Sequence, residues 1–253
     1  MINTLQKASM WKRISAYIFD FIMLGIVTVG AALLLSSVLG YDRYNEQVNN
    51  AYARYEQEYG VSFDITEEEY LALSQEQKDN LQAASDALSA DREAGYAYTM
   101  MLNLTLIIIT FSILIAYLLL ELAVPLFFKN GQTLGKKVFG VAVMRVDGVR
   151  INNITLFVRT VLGKYTIETM IPVLILIMIF FNMIGIIGGA ILLLILILQI
   201  AMLIATHTNS AIHDLIANTV AVDISCQMIF DTPEALLDYK KRIHAEQAEK
   251  QQY

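Results

Sequence analysis

The chain has 253 residues, of which 56% are apolar and 17% are charged. Soluble domains average about 45–50% apolar and about 25% charged residues, so this composition argues against an ordinary soluble protein. The apolar excess is also concentrated, because residues 167–205 include only one ionisable side chain. A membrane span needs only about 20 apolar residues. The sequence therefore predicts an all-α integral membrane protein.

Four apolar segments are long enough to cross a bilayer, and they predict a four-transmembrane-helix bundle. The predicted spans cover residues 14–39, 100–128, 166–182 and 184–205. The last two segments form one apolar run of 39 residues, which as a single helix would be about 58 Å long, roughly twice the hydrocarbon thickness. A tight turn near Asn182 is therefore expected. The first segment is too long for a cleaved signal peptide and contains Asp20, so we expect it to be retained.

The segment 41–99 is predicted to be an acidic helical insertion, built around a helical hairpin. Apolar and aromatic residues recur at helical spacing, and they are Val48, Tyr52, Tyr55 and Tyr59. Thr66 with Glu69 forms a capping-box pattern for a second helix, and Ser74 can cap a third. The segment has thirteen acidic and four basic residues, which favours a solvated face over a surface that gathers cations.

The segment 129–165 is predicted to contain a β-hairpin followed by an amphipathic helix. Residues 138–145 and 149–152 flank Asp147-Gly148, which is typical of a tight hairpin turn. Asn153 or Thr155 is expected to cap a helix over 156–164 that lies at the level of the lipid headgroups. The spacing of glycines around Gly131 is one residue too short for a phosphate-binding loop, so no nucleotide is expected.

The distribution of Lys and Arg predicts the orientation of the chain in the membrane. Residues 1–13 carry three basic residues and no acid, and residues 129–164 carry seven basic residues with Asp147 as the one acid. We therefore expect the N-terminus, the 129–165 segment and the C-terminal segment 206–253 to be cytoplasmic. The 41–99 insertion and the Asn182 turn are expected outside.

Ionisable residues inside the predicted spans are the candidates for function, because each is costly in a membrane unless it is paired or hydrated. Arg13, Tyr17 and Asp20 are spaced i, i+4 and i+7 and share one helix face. Asp20 is expected about 10 Å inside the cytoplasmic boundary and Glu121 about 12 Å inside it. Two carboxylates at similar depth would favour one shared proton or cation. Asp214 is expected to fold back against the cytoplasmic opening.

Alternatives remain open for these residues. Asp20 is either a cation or proton site, or the acidic partner of a structural ion pair with Arg13, Arg159 or Lys136. Glu121 is either part of the same site or hydrogen-bonded to a neighbouring helix. His207 and His213 are six residues apart and do not share a helix face, so no metal site is expected. No nucleophile–base motif is present, so no enzyme activity or cofactor is expected.

Several of these motifs together resemble the RDD family of bacterial membrane proteins. Arg13 and Asp20 in KRISAYIFDFIML match the family's first arginine and aspartate, and GQTLGKKVFGVAVMRVDG (131–148) is similar to the family's cytoplasmic GQTLGK segment and the hairpin that follows it. Asp214 in AIHDLIANTVAV matches the second aspartate, and Arg159 matches a common basic residue. The resemblance spans an RDD-like domain over 9–224, with Asn218 departing from the usual glycine.

The resemblance implies a transport-related protein of a bacterial plasma membrane. Members are generally regarded as transporters, some exchange Na⁺, Li⁺ or K⁺ for protons, and others act as assembly modules. The implied cation- or proton-binding residues are Asp20, Asp214 and Glu121. The implied charge-tuning or ion-pairing residues are Arg13, Arg159, Lys136, His213 and Tyr17. The expected partners are the lipid bilayer, monovalent cations, protons, and either a second copy of the chain or a membrane complex. No nucleic acid is expected. The alternative function is that of a non-transporting membrane adaptor.

Overall fold

The computed structural model describes residues 5–206 and 210–251. Ten helices and two strands are found there. In chain order the elements are α1 (Met10–Leu39), α2 (Tyr41–Tyr59), α3 (Glu67–Ala72), α4 (Gln75–Ala90), α5 (Arg92–Phe128), α6 (Leu134–Val138), β1 (Val141–Arg145), α7 (Asn153–Phe180), α8 (Gly185–Ala205), α9 (Ile212–Ile216), β2 (Thr219–Asp223) and α10 (Pro233–Gln251). The chain divides into two compact units, one of Met1–Thr28 with Ile113–Tyr253 and one of Val29–Ser112.

Four of these helices are long and apolar enough to span a membrane, which supports the predicted class of protein. They are α1, α5, α7 and α8, with 30, 37, 28 and 21 residues respectively. At 1.5 Å per residue even the shortest is about 31 Å long, which matches a hydrocarbon core of about 30 Å. The turn between α7 and α8 covers 181–184, where Asn182 adopts a left-handed φ of 54°.

The unit formed by Val29–Ser112 contains the predicted acidic helices. Capping boxes join Thr66 to Glu69 and Ser74 to Gln77, so both of these helices begin where their local sequence signals indicate. Helix α2 packs against α4 through buried small and apolar side chains, including Val48. The insertion is therefore a set of short helices ordered by local caps and by a narrow apolar contact.

The predicted β-hairpin over 138–152 forms only at its turn. The Asp147-Gly148 turn forms, with the Arg145 N–H donating to the Val149 carbonyl, but only one bridge follows it, from Met144 to Arg150. Strand β1 instead pairs antiparallel with β2, with Val143 opposite Ala221. The segment after the turn is too short to compete, because it stops at Asn152, which caps α7.

The predicted amphipathic helix over 156–164 is not separate from the third span. Helix α7 runs without a break from Asn153 to Phe180, with a π-helical stretch over Val158–Met170. Its N-cap is Asn152, whose side chain accepts a hydrogen bond from the Thr155 N–H, so neither Asn153 nor Thr155 is the cap. No proline or capping signal interrupts residues 156–170, so the helix continues into the apolar run.

The β1–β2 pair forms the core that holds the start of α1. Ala142, Met144, Val220 and Val222 are fully buried against one another. The chain before α1 joins this sheet, where the Ala8 N–H donates to the Ala221 carbonyl. Lys12 at the beginning of α1 forms a 2.6 Å ion pair with Asp223 at the end of β2. These contacts attach the start of α1 to the sheet.

Candidate functional site

The unit containing both sequence termini encloses a cavity of about 400 Å³. Six helices contribute side chains to its lining: α1, α5, α6, α7, α8 and α9. Four basic and four acidic residues line it, namely Arg13, Lys136, Arg159, Lys164, Asp20, Glu121, Glu168 and Asp214. His213, Tyr17 and Gln199 also line the cavity. Charged groups at this density inside a membrane protein are typical of functional sites.

Asp20 binds the N-terminal end of α6. Its Oδ1 accepts a 2.7 Å hydrogen bond from the Gly135 N–H, and its Oδ2 accepts one from the Thr133 hydroxyl. The Lys136 Nζ lies 3.8 Å from the same Oδ2. The carboxylate thus satisfies a backbone donor of the first helical turn and has one cationic neighbour. Of the three partners considered from the sequence, the structure therefore selects Lys136 for Asp20.

The GQTLGK segment is shaped to receive this carboxylate. Thr133 is the N-cap of α6, and its hydroxyl accepts from the Lys136 N–H. Gly135 is required by space, because a Cβ there would collide with the Ala16 carbonyl and the Asp20 carboxyl group. Gln132 anchors the segment to β1 through a 2.8 Å bond from its Nε2 to the Val141 carbonyl. The motif is therefore a docking surface for α1 rather than a phosphate loop.

Lys136 has an unusual protonation equilibrium. Its side chain is only 12% exposed, and its Nζ donates to the Thr133 hydroxyl at 3.1 Å. Burial, together with the positive charge of Lys164, lowers the pKa of Lys136 to about 8. A lysine with this pKa exchanges its proton near neutral pH.

Glu121 and Lys164 form a buried ion pair. The Lys164 Nζ lies 2.5 Å from the Glu121 Oε2, and both side chains are about 10% exposed or less. The Thr160 hydroxyl donates to the backbone carbonyl of Glu121 at 2.9 Å. Both partners lie in π-helical stretches, Leu118–Ala123 in α5 and Val158–Met170 in α7. Such stretches are frequent at functional sites in helices.

Asp214 is held by Arg159 and Thr219. The Arg159 Nε donates to the Asp214 Oδ1 at 2.9 Å, and the Thr219 hydroxyl donates to the same oxygen at 2.9 Å. Both members of the ion pair are 2% exposed. Burial raises the pKa of Asp214, but the charges of Arg159 and His213 and the hydrogen bonds from Arg159 and Thr219 together outweigh it and hold that pKa well below its usual range. Asp214 is therefore an ionised partner in a closed pair.

His213 bridges Asp214 and Glu168. Its backbone N–H donates to the Glu168 Oε1 at 2.9 Å, and its Nδ1 lies 2.7 Å from the Glu168 Oε2. The other ring nitrogen, Nε2, is 3.5 Å from the Asp214 Oδ2. Burial lowers the pKa of His213. Gly163 permits this approach, because a Cβ there would lie 2.6 Å from the His213 Cβ.

The model of the RDD family matches residues 7–218 of the chain. The chain belongs to the RDD family. No curated protein matches it, and no solved structure does. The arginine and two aspartates that carried the resemblance, Arg13, Asp20 and Asp214, all line the one cavity although they lie on α1 and α9.

The lysine nearest to each carboxylate differs in this RDD family protein, Lys136 for Asp20 and Lys164 for Glu121. The charge of Lys136 also acts on Glu121, so the two carboxylates belong to one electrostatic cluster. Tyr17 stacks on Phe21 and lines the cavity without binding a carboxylate in the described part of the chain.

Sequence reasoning missed several residues of this site. Thr133 and Gly135 were part of the quoted motif but had no assigned role, and Lys164 and Glu168 were not among the candidates. A signal was available, because Thr160, Lys164 and Glu168 are spaced i, i+4 and i+8 along one helix. His207 lies outside the described residues. Among those that are described, no group of three or more potential metal ligands is found.

Proposed function

We propose that this RDD family protein is a membrane transporter that exchanges a monovalent cation for a proton at Asp20. The observation that supports this proposal best is the Asp20–Lys136 pair, which lines a cavity of about 400 Å³ and joins a carboxylate to a lysine whose pKa is about 8. Near neutral pH the lysine can hold or release one proton. The carboxylate then gains or loses its cationic neighbour within the same site.

The exchange keeps the net charge around Asp20 constant. While Lys136 is protonated, its ammonium group compensates Asp20, whereas loss of that proton leaves the carboxylate exposed to the cavity without compensation. A monovalent cation then enters and is bound by oxygen atoms, which alkali cations prefer as hard ions; the Asp20 carboxylate and the Thr133 hydroxyl are the oxygen ligands at hand. One proton leaves for each cation bound. Return of the proton displaces the cation.

The other pairs of the cavity serve this exchange. Glu121 and Lys164 set the electrostatic potential at Lys136, since the charge of each acts on its ammonium group. His213 is hydrogen-bonded to Glu168, and its Nε2 lies 3.5 Å from the Asp214 Oδ2, so in this proposal the ring passes protons between the two carboxylates. In this proposal Asp214 is the second carboxylate site, and Arg159 keeps it ionised.

The proposed setting is a bacterial plasma membrane with both termini in the cytoplasm. The seven basic residues of 129–164 support this orientation, because basic segments are retained on the cytoplasmic side. The cavity then lies toward the cytoplasmic ends of α1 and α5. Four spanning helices form a small conduit, so the transporting unit is proposed to be a homo-oligomer.

Cation-dependent proton flux in proteoliposomes tests the proposal. A pH-sensitive dye trapped inside vesicles reports proton movement when Na⁺, Li⁺ or K⁺ is added outside. We expect flux with the native protein and less than about a tenth of it with Asp20→Asn or Lys136→Gln. Asp147→Asn is the matched control, because Asp147 is an acid of the same unit whose ion pair with Arg145 lies away from the cavity. Flux that survives the Asp20→Asn and Asp214→Asn double substitution contradicts the proposal.

A membrane adaptor is the second candidate, and it is favoured by the insertion. Helix α3 of the acidic unit leaves Leu71 67% exposed and Tyr70 44% exposed, which is unusual on an acid-rich face. In this alternative, the segment of residues 45–95 binds a partner protein. The charged residues of the cavity then only hold the helices together. Deleting 45–95 then removes a stoichiometric partner from a native-membrane pull-down while the remaining helices stay folded. A pull-down without such a partner argues against the adaptor.

A further inference from the structure

Arg13 differs from the other cations of the cavity. Lys136, Arg159 and Lys164 each have a carboxylate partner. Within residues 5–206 and 210–251, the Arg13 guanidinium has neither an ion pair nor a hydrogen bond, although it lines the same cavity. A guanidinium has five N–H donors and stays charged at every physiological pH. The Asp214 charge acts on Arg13 from beyond ion-pair distance, and the N–H donors of the guanidinium remain available to a ligand in the cavity.

The wall beside Arg13 is apolar and open to the surface. Tyr17 and Phe21 of α1 and Leu196 and Ile200 of α8 line the cavity, and each is also exposed. The most apolar windows of α1 and α8 are each only 6% buried within the protein, compared with 28% for α5. In a membrane these two helices face hydrocarbon on the outer side of the cavity. The site thus places the Arg13 guanidinium next to an apolar margin that faces lipid.

The charges of the lining limit what can bind to Arg13. The other three cations of the lining each have a carboxylate partner, so Arg13 offers a single positive charge, which matches an anion with one negative charge. An oxyanion with one negative charge pairs with the guanidinium through two parallel N–H···O bonds. A volume of about 400 Å³ holds a polar headgroup but not a whole lipid, and the exposed apolar side chains are suited to an attached hydrocarbon tail.

We propose that the cavity binds the headgroup of one anionic membrane amphiphile, with Arg13 holding its singly charged oxyanion and the hydrocarbon tail lying along α1 and α8. This inference does not depend on cation exchange at Asp20. It assigns Arg13 a ligand-binding role and makes the margin formed by Tyr17, Phe21, Leu196 and Ile200 the entrance from the bilayer.

Native mass spectrometry of the full-length protein in detergent tests the proposal. The probes are phosphatidylglycerol, a phosphodiester with one negative charge, and phosphatidylcholine with the same acyl chains. We expect one phosphatidylglycerol per chain at a concentration at least tenfold below that needed for phosphatidylcholine. Arg13→Gln should weaken this binding at least tenfold and Arg13→Lys by less. Lys137→Gln is the matched control, because Lys137 is a cation of the same unit that lies over the Phe128 ring and does not line the cavity.

A second variant tests the entrance without changing any charge. Ile200→Trp places a larger side chain on the lipid-facing margin, and we expect it to weaken phosphatidylglycerol binding while Arg13 is intact. Equal binding of both lipids, or unchanged binding in both Arg13→Gln and Ile200→Trp, overturns the proposal. Displacement of the lipid by an equal concentration of inorganic phosphate also overturns it, since the site would then recognise a free anion. Lipid binding is measured here without any transport step. A protein that shows no cation-dependent proton flux can therefore still confirm or contradict the binding of phosphatidylglycerol.

Discussion

Asp20 accepts a hydrogen bond from the backbone N–H of Gly135, a residue 115 positions later in the chain. This contact joins the first predicted span to the GQTLGK segment, and Gly135 makes it possible by leaving room for the Ala16 carbonyl. The acidic residue of α1 and the glycine of α6 are therefore two halves of one packing contact, and each explains why the other residue type is needed.

Gly135→Ala should destabilise the protein. The added Cβ collides with the Ala16 carbonyl and the Asp20 carboxyl group, and forcing extra volume into a packed site costs about 1–3 kcal/mol. The thermal unfolding of the detergent-solubilised protein measures this loss. Gly25→Ala is the control in α1, because nothing lies within 4 Å of the position of its Cβ. Equal melting temperatures for Gly135→Ala and Gly25→Ala would contradict this prediction, because the collision at residue 135 would then have no measurable cost in stability.

Lys164→Met should be strongly destabilising, because it leaves the Glu121 carboxylate buried without its cation. Breaking a buried ion pair from one side costs about 3–5 kcal/mol. Glu121→Gln combined with Lys164→Met removes both charges and should recover much of that loss. Unfolding measurements on the two single variants and the double variant form a thermodynamic cycle. Strict additivity of the two single effects would mean that the pair is not coupled.

The stability contributed by His213 should fall with acidification below pH 6.5. Burial lowers the pKa of His213 from its ordinary value of 6.5, so the unfolded chain takes up this proton at a higher pH than the folded one. Stability from this group is therefore present above pH 6.5 and is lost as the pH falls toward the folded value. Glu168, Asp214 and Arg159 are the charged groups that act on the ring.

Melting temperatures between pH 7.5 and pH 5.5 measure this effect. The native protein should lose more stability over this interval than His213→Gln, in which the titrating group is absent. The difference between the two pH profiles removes the contribution of the other titrating groups. Identical profiles would exclude His213 as the source of the pH dependence.

Cation–proton exchange should increase as the pH rises through about 8, the value at which half of Lys136 is deprotonated. Lys136→Arg should abolish the exchange, because arginine keeps its charge and stays beside Asp20 at every accessible pH. Initial flux rates between pH 6.5 and 9 measure the profile. Lys137→Arg is the control, since the neighbouring Lys137 lies over the Phe128 ring and outside the cavity. A profile unchanged by Lys136→Arg would remove Lys136 from the exchange.

The sequence alone was sufficient to predict those features that depend only on residues close together in the chain. Apolar length alone predicted four spanning helices, and the pairs Thr66 with Glu69 and Ser74 with Gln77 mark helix starts that the structure contains. The turn at Asn182 follows from the limit that bilayer thickness sets on a helix. These features are local because a helix satisfies its backbone hydrogen bonds within a few residues.

The tertiary structure decided which residues are partners. Strand β1 pairs with β2 rather than with the segment after its own turn, and Arg159 binds Asp214, a residue 55 positions away. The same holds for Glu121, whose cation Lys164 lies 43 positions away on another helix. Sequence analysis found Asp20 and Glu121 because charge in an apolar segment is costly and conspicuous, and it found Asp214 through the resemblance to the family's second aspartate. It could not assign their cations, because only helix packing determines which charges lie close enough to pair.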